Sequence, residues 1–304
     1  MIYLILAFCS SALISIVMRY GEGRIQNNIS ALAVNYSICL LLSLIYSAGS
    51  GSFAVSQDSA KSVLILGMIS GVFYVGSFIL YQYNIYRNGV LMSATFMKLG
   101  VLVPTFIAIL AFGERPGILQ IIGIIMAIAA ILIVNSPEKD GPDAGDSPKD
   151  CKNSSEDSPI TEGSRSTVTA PKALILLLLL GGSGDAMSKI YEELGPAKYT
   201  SQYLLYTFAV ALVLCTLTAL LRGQRFTKPD ILFGCLVGLP NYYSARFLLL
   251  SLSEVPAVAA FPTFSIGTIL LTGAAGVALF GEKMTKRQWI AIGIVIAAMV
   301  LLNI

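Results

Sequence analysis

The stretch FGERPGILQIIGIIMAIAAILIVN at 112–135 returns in altered form as FGEKMTKRQWIAIGIVIAAMVLLN at 280–303. Each copy opens on Phe-Gly-Glu and a basic residue, then runs apolar to an asparagine. Residue 112 against 280 sets a shift of 168, and the same shift aligns Thr95-Phe96 with Thr263-Phe264 and Gln120 with Gln288. One residue less aligns Gly67 and Gly71 with Gly234 and Gly238, each a small-xxx-small pair of the kind that lets helices approach closely. Identities between apolar runs arise easily, so the weight rests on the polar and glycine matches. The chain is therefore two copies of one unit.

Outward from these stretches, apolar runs recur at roughly 2–18, 31–48, 62–82, 89–112 and 117–135, then at 172–191, 201–221, 231–251, 256–280 and 287–303. A bilayer core needs about 20 apolar residues per helix, so these are ten spans. The composition agrees: 304 residues, 56% hydrophobic and 12% charged, against roughly a quarter charged in a soluble domain. A water-soluble globular fold is excluded. The fold class is an all-α membrane protein, ten transmembrane helices in two five-helix repeats. An odd number of spans per repeat inverts the second copy relative to the first, the architecture of many secondary transporters. The first apolar run has no basic residue ahead of it, with Arg19 and Arg24 following, so it reads as a membrane helix rather than a signal peptide.

Residues 136–171 separate the repeats, with five prolines, eight acids, four basic residues and almost no aliphatic content. Such a stretch cannot bury enough apolar surface to offset its ordering entropy and is expected to be a disordered linker. The domain reading is 1–135, first repeat; 136–171, acidic linker; 172–304, second repeat. Odd-numbered loops carry 14 Lys and Arg and even-numbered loops three. By the positive-inside rule the linker is cytoplasmic and both termini are outside.

Between the repeats and across the whole chain apart from the linker, the pattern resembles the EamA-like ten-helix members of the drug/metabolite transporter superfamily. The resemblance rests on Phe112-Gly113-Glu114-Arg115-Pro116 and Phe280-Gly281-Glu282-Lys283, each followed by an apolar helix. It also rests on Asn88-Gly89-Val90 leading to Lys98, and on Gly184-Asp185-Ala186-Met187-Ser188-Lys189. The resemblance implies a central cavity, contributed mainly by spans three, four, eight and nine with one and six beside them, working by alternating access. Many relatives are drawn with both termini in the cytoplasm, the reverse of the charge count. Members move amino acids, sugars, nucleotide conjugates and other metabolites, so no single substrate is implied.

Ionisable groups inside spans are costly and generally face a cavity or a partner. Lys98 lies about ten residues into its span, about 15 Å deep, and is read either as a substrate or coupling group or as a structural lysine. Arg246 has Tyr242 and Tyr243 on its face, with Pro240 and Asn241 expected to interrupt the helix upstream. It either meets a ligand with them or snorkels to the interface. Asp185 and Lys189, spaced i and i+4, are read as a proton-coupling pair or as a structural ion pair. Tyr74, Ser77 and Tyr81 form one stripe on span three that either lines the cavity or makes helix contacts, and Asn35 either serves function or bonds between helices. Thr95 and Thr263, at matched positions, offer hydroxyls to backbone or ligand, and the Gly-Glu pairs are expected to end helices rather than bind substrate.

Counting Lys98, Lys189 and Arg246 against Asp185 leaves two surplus positive charges, which favours an anionic or zwitterionic solute. The expected function is a secondary transporter of a small polar metabolite across the plasma (inner) membrane, coupled to protons or a counter-transported solute. The alternative is a non-transporting sensor or scaffold acting through the linker. No intramembrane catalytic set is present, and histidine is absent from the chain, so no enzyme is expected. The five cysteines are unpaired by spacing and a net charge of +3 is small, so neither a metal site, a cofactor nor nucleic-acid binding is expected.

Overall fold

In lipid each backbone polar group must be satisfied within its own segment, so apolar runs of this length can only be helices. The computed structural model describes residues 1–21, 23–49, 57–88, 90–134, 171–280 and 286–302. Linker residues 136–170 and the second Gly-Glu pair, Gly281-Glu282, lie outside the described residues. The helices are α1 (Ile2–Gly21), α2 (Asn28–Gly49), α3 (Gln57–Asn88), α4 (Val90–Leu99), α5 (Leu102–Leu110), α6 (Ile118–Val134), α7 (Pro171–Leu194), α8 (Thr200–Leu221), α9 (Lys228–Leu252), α10 (Ala257–Phe280) and α11 (Lys286–Leu302). Six of them are long and apolar enough to cross a membrane by themselves. Large side chains such as Ile45, Ile65, Val213 and Leu217 are exposed along these helices, as a lipid-facing surface requires.

The expected fourth span is two helices. Between α4 and α5 the chain makes three tight bonds, Gly100 N to Met97 O at 3.2 Å, Val101 N to Lys98 O at 3.3 Å and Val103 N to Gly100 O at 3.0 Å. Pro104 has no N–H to offer the Gly100 carbonyl, so the helix tightens and breaks there. The break is seated on α7, where a Cβ at Gly182 would collide with the Gly100 carbonyl. Pro240 and Pro262, in contrast, sit inside continuous helices, so the expected interruption of α9 upstream of Arg246 is absent. The neighbouring turns absorb the missing donor without ending the helix.

Packing repeats under exchange of the halves. The contact of α1 with α9 has its mate in α7 with α3, α2 with α9 in α8 with α3, and α1 with α10 in α7 with α4 and α5; α2 meets α8, and α6 meets α11, across the pseudo-axis. The paired glycines carry the second of these contacts. Cβ atoms at Gly67 and Gly71 of α3 would lie 2.7 Å from Tyr206 Cβ and 2.6 Å from the Thr207 carbonyl of α8. At Gly234 and Gly238 of α9 they would lie 2.6 Å from the Ala31 carbonyl and 2.6 Å from Ile38 Cβ of α2. Only glycine allows these backbones to meet.

Interhelical bonds fix which ends share a face. At one face Asp230, in the first turn of α9, accepts from Gln26 N at 2.9 Å and Asn27 N at 3.2 Å in the α1–α2 connection. There too Asn84 near the end of α3 donates to the Ala173 carbonyl at the start of α7, 3.1 Å away. This is the face whose connections are rich in Lys and Arg, the basic face. At the opposite face Glu114, after α5, reaches the start of α10 and the end of α7. Helix α1 ends at the basic face and α7 begins there, so the second repeat is inverted.

Candidate functional site

A cavity of about 400 Å³ opens between the repeats, a size that suits a small metabolite. Helices α1 and α3 line it with their C-terminal halves, through Met18 and through Tyr74, Ser77, Phe78 and Tyr81; α2 lines it with its N-terminal half, through Asn35 and Tyr36, and α9 through Val237 and, at its middle, Asn241. Those halves border the basic face. Two further crevices share Met18 with the cavity and continue from it to the α1–α2 connection at that face.

The break between α4 and α5 sets Lys98 on the cavity wall, one residue before the end of α4. Beside it α7, the helix against which the break is seated, contributes Gly181, Gly184 and Asp185. The glycines lower the wall: a Cβ at Gly184 would already touch the Tyr74 ring at 3.7 Å. Lys98 and Asp185 are the charged groups that line this cavity, and neither forms a hydrogen bond or a salt bridge within 4.0 Å among the described residues. A cation and an anion therefore face the same space without a direct partner. Polar neutral groups complete the wall. Asn241 donates from Nδ2 to Asn35 Oδ1 at 3.1 Å, tying α9 to α2, and the Ser77 hydroxyl donates to its own helix at the Tyr74 carbonyl, 2.9 Å.

Lys189 is placed elsewhere. It is 4% exposed and pairs with Glu114 Oε1 at 2.9 Å, Glu192 Oε2 at 2.8 Å and Glu193 Oε1 at 2.6 Å. The expected pairing of Asp185 with Lys189 is therefore corrected: on α7 the lysine turns toward the opposite face, where three carboxylates outbid one. Glu114 also accepts from the backbone N–H groups of Ala257 at 3.1 Å and Val258 at 3.0 Å, capping the N-terminus of α10. Gly113 stands at φ 68°, a left-handed conformation that folds the chain back so that Glu114 N meets the Ala108 carbonyl at 3.0 Å. The first Phe-Gly-Glu thus ends a helix, caps another across the repeats and holds a buried lysine.

Arg246 also stands outside the cavity. Its Nη1 donates to Ser201 Oγ at 3.0 Å and to Tyr242 OH at 3.1 Å, and its guanidinium lies 4.2 Å above the Tyr46 ring. Tyr242 is fully buried beneath it. The two surplus positive charges expected in the cavity are consequently not there, because Lys189 is neutralised by glutamates and Arg246 sits among tyrosines. One positive and one negative group line the space. Thr263 is buried, while its neighbour Phe264 is the one that faces the cavity; the Thr95 side chain lies outside the described residues.

The family model described as the EamA-like transporter family matches residues 1–136 and 171–304. The chain belongs to the EamA-like transporter family. Membership makes it a multi-pass membrane protein of transporter type, in a family of transporters rather than enzymes. No match was found among the curated proteins. A solved structure described as "Crystal structure of protein" is 14% identical, covers 99% of this chain and 94% of that one, and superposes with a TM-score of 0.71, which shows a shared fold.

In this EamA-like chain, the stripe Tyr74, Ser77 and Tyr81 and the residues Asn35, Lys98, Asp185 and Asn241 are brought to one cavity. Tyr36, Phe78, Met97, Phe264, Ser265 and Thr268 join them and are missed by a reading based on charge and repeat identity. The available signal was spacing: Phe264 and Thr268 fall four apart on α10, and Tyr36 neighbours Asn35. Together these residues can hold a solute carrying both charges and an apolar body.

Proposed function

We propose that this chain is a secondary transporter that moves a small polar metabolite, anionic or zwitterionic, across the plasma membrane by alternating access. The observation that carries the reading is Lys98 and Asp185 facing one cavity between inverted repeats, each without a direct partner. Charged groups inside a bundle are costly, and a solute that satisfies both offsets that cost. A cavity lined by one charge of each sign favours a zwitterion over a simple anion. Lys98 takes the carboxylate; Asp185 takes the ammonium group or, between turnovers, a proton. Asn35 and Asn241 offer amide groups beside them, and Tyr74 and Ser77 the remaining polar wall. The repeats, 1–135 and 172–304, act as the two moving halves. The basic face is cytoplasmic, so the cavity is open to the cytoplasm in this conformation.

The test is retention of solutes by proteoliposomes loaded with a mixed pool of amino acids, organic acids, sugars and nucleotides, followed by mass spectrometry. Wild type is expected to lose a zwitterionic or anionic solute selectively, and Lys98→Met to prevent the loss. Asp185→Asn is expected to abolish dependence on a pH gradient while leaving exchange. No selective loss by folded wild type, beside a working control transporter, would overturn the reading.

A further inference from the structure

Arg246 lies outside the cavity, yet its surroundings leave it donors for an anion. A guanidinium carries five N–H donors. Among the described residues only Nη1 is engaged, with two neutral hydroxyls, Ser201 Oγ at 3.0 Å and Tyr242 OH at 3.1 Å. No carboxylate stands within 4.0 Å of it among the described residues, and the Tyr46 ring packs against the guanidinium face at 4.2 Å. A cation that merely snorkels to a headgroup extends freely; this one is tethered on one edge and stacked on one face, with the other edge left over.

Its position along the bundle gives that edge a use. Asn241 marks the cavity wall on α9, and Arg246 lies five residues further on, about 7.5 Å toward the opposite face. A run of touching rings links the two levels. Tyr36 and Tyr74, on the cavity, contact Phe208 at 6.1 and 6.4 Å; Phe208 contacts Tyr242 at 6.3 Å; Tyr242 contacts Tyr46 at 5.6 Å. Tyr243, Phe247 and Tyr3 continue it to the start of α1, at the opposite face. Phe208 and Tyr242 are completely buried, so the seam is shut in this conformation.

We infer that Arg246, framed by Ser201, Tyr46 and Tyr242, is a second site for the substrate's carboxylate, on the far side of the ring seam, occupied when the opposite face opens. The planar fork of the free edge accepts a carboxylate through two parallel bonds, which lysine cannot reproduce. The inference rests on the transporter reading above and adds a station to its path. The sequence places Arg246 on one half only, since the pseudo-equivalent position of α3, one residue short of the 168 shift, is Ile79. The two faces therefore bind the same solute differently.

The experiment uses full-length protein in phosphatidylcholine vesicles sorted for orientation, with a pool of the common amino acids presented to one face at a time and uptake counted by mass spectrometry. Arg246→Gln is expected to raise the half-saturating concentration at the opposite face by about tenfold, the equivalent of one charge-assisted hydrogen bond, and to change the basic face by less than about twofold. Arg246→Lys, which keeps the charge and loses the fork, gives the same one-sided change and serves if the glutamine variant does not reach the membrane. Lys98→Met abolishes uptake from both faces. Equal change at both faces, or none, would overturn the inference while leaving transport intact. An effect of Arg246→Gln that appears only when anionic phosphatidylglycerol is added assigns the fork to a lipid phosphate and also overturns it. Failure of wild type to move any member of the pool overturns the transporter reading and this inference with it.

Discussion

Under the proposed alternating access, replacing Lys189 by methionine should favour opening of the face opposite the basic one. Lys189 binds three carboxylates, and one of them, Glu114, belongs to the other repeat. Breaking a fully buried ion pair costs about 3–5 kcal/mol and an exposed one 0–1 kcal/mol. With Lys189 at 4% exposure and Glu114 at 16%, the cross-repeat link falls between these limits, near about 2 kcal/mol, or roughly a 30-fold shift in the balance of closed and open faces. Methionine keeps the stem's volume, so the shift reports charge and not a hole. The assay is a cysteine at Ser188, which is buried on α7 next to Lys189 in the chain, in a background without the native cysteines. Its modification by an impermeant thiol reagent is followed from the opposite face. Lys189→Met should accelerate it about 30-fold and Lys189→Arg hardly at all. Glu114→Gln removes the ionic link together with one of the two α10 cap bonds, because the amide nitrogen cannot accept, so Lys189→Met is the cleaner test of the link. An unchanged rate for Lys189→Met, or equal acceleration from both faces, would refute the reasoning.

Other outcomes follow from the same geometry. Gly238→Ala forces a Cβ to within 2.6 Å of Ile38 Cβ and 3.0 Å of the Asn35 carbonyl, and should cost about 1–3 kcal/mol, seen as a lower melting temperature in detergent. Gly293→Ala, with nothing within 4 Å, should leave it unchanged. Asp230 is buried at the loop end of α9, outside the membrane-spanning stretch. Burial pushes its carboxyl up, but the Thr227 hydroxyl and the backbone N–H groups of Asn27, Gln26 and Thr227 outweigh that and hold it below the usual carboxylate range. Its contribution is thus present above the unfolded value of about 3.9 and lost as pH falls through the folded one. Melting temperature should therefore drop on acidification below about pH 4 in wild type, and Asp230→Asn should blunt that part of the drop.

Span number, inversion and the paired glycines were legible because hydrophobic length and close approach are local demands, written at each position. Gly67, Gly71, Gly234 and Gly238 were recognised from spacing alone, and each meets a neighbouring helix where the spacing implies. Partners were not legible in the same way. Asp185 and Lys189 have the right spacing for a pair, but Lys189 is claimed by Glu114, more than seventy residues away along the chain, and no periodicity encodes that. The cavity's charge was misjudged for the same reason: counting intramembrane charges ignores which of them are neutralised across helices. The break at Gly100 needed both Pro104 and the facing Gly182, and only the first was visible in the sequence.

The two halves match in packing and differ in chemistry. Exchanging α1 with α7, or α3 with α9, reproduces the contacts, so the packing is nearly symmetric between the two faces. Lys98 breaks the match: at the same shift that aligns Thr95 with Thr263, its counterpart is Ile266, completely buried and apolar. A charge contributed by one repeat alone cannot be neutralised by its own symmetry mate. A counter-charge must come from a different helix, where Asp185 of α7 faces the same cavity without touching Lys98, or from the solute. In the proposed transport cycle, the near-symmetric scaffold would supply the two states, and the departures from symmetry the reason for a solute to be bound between them.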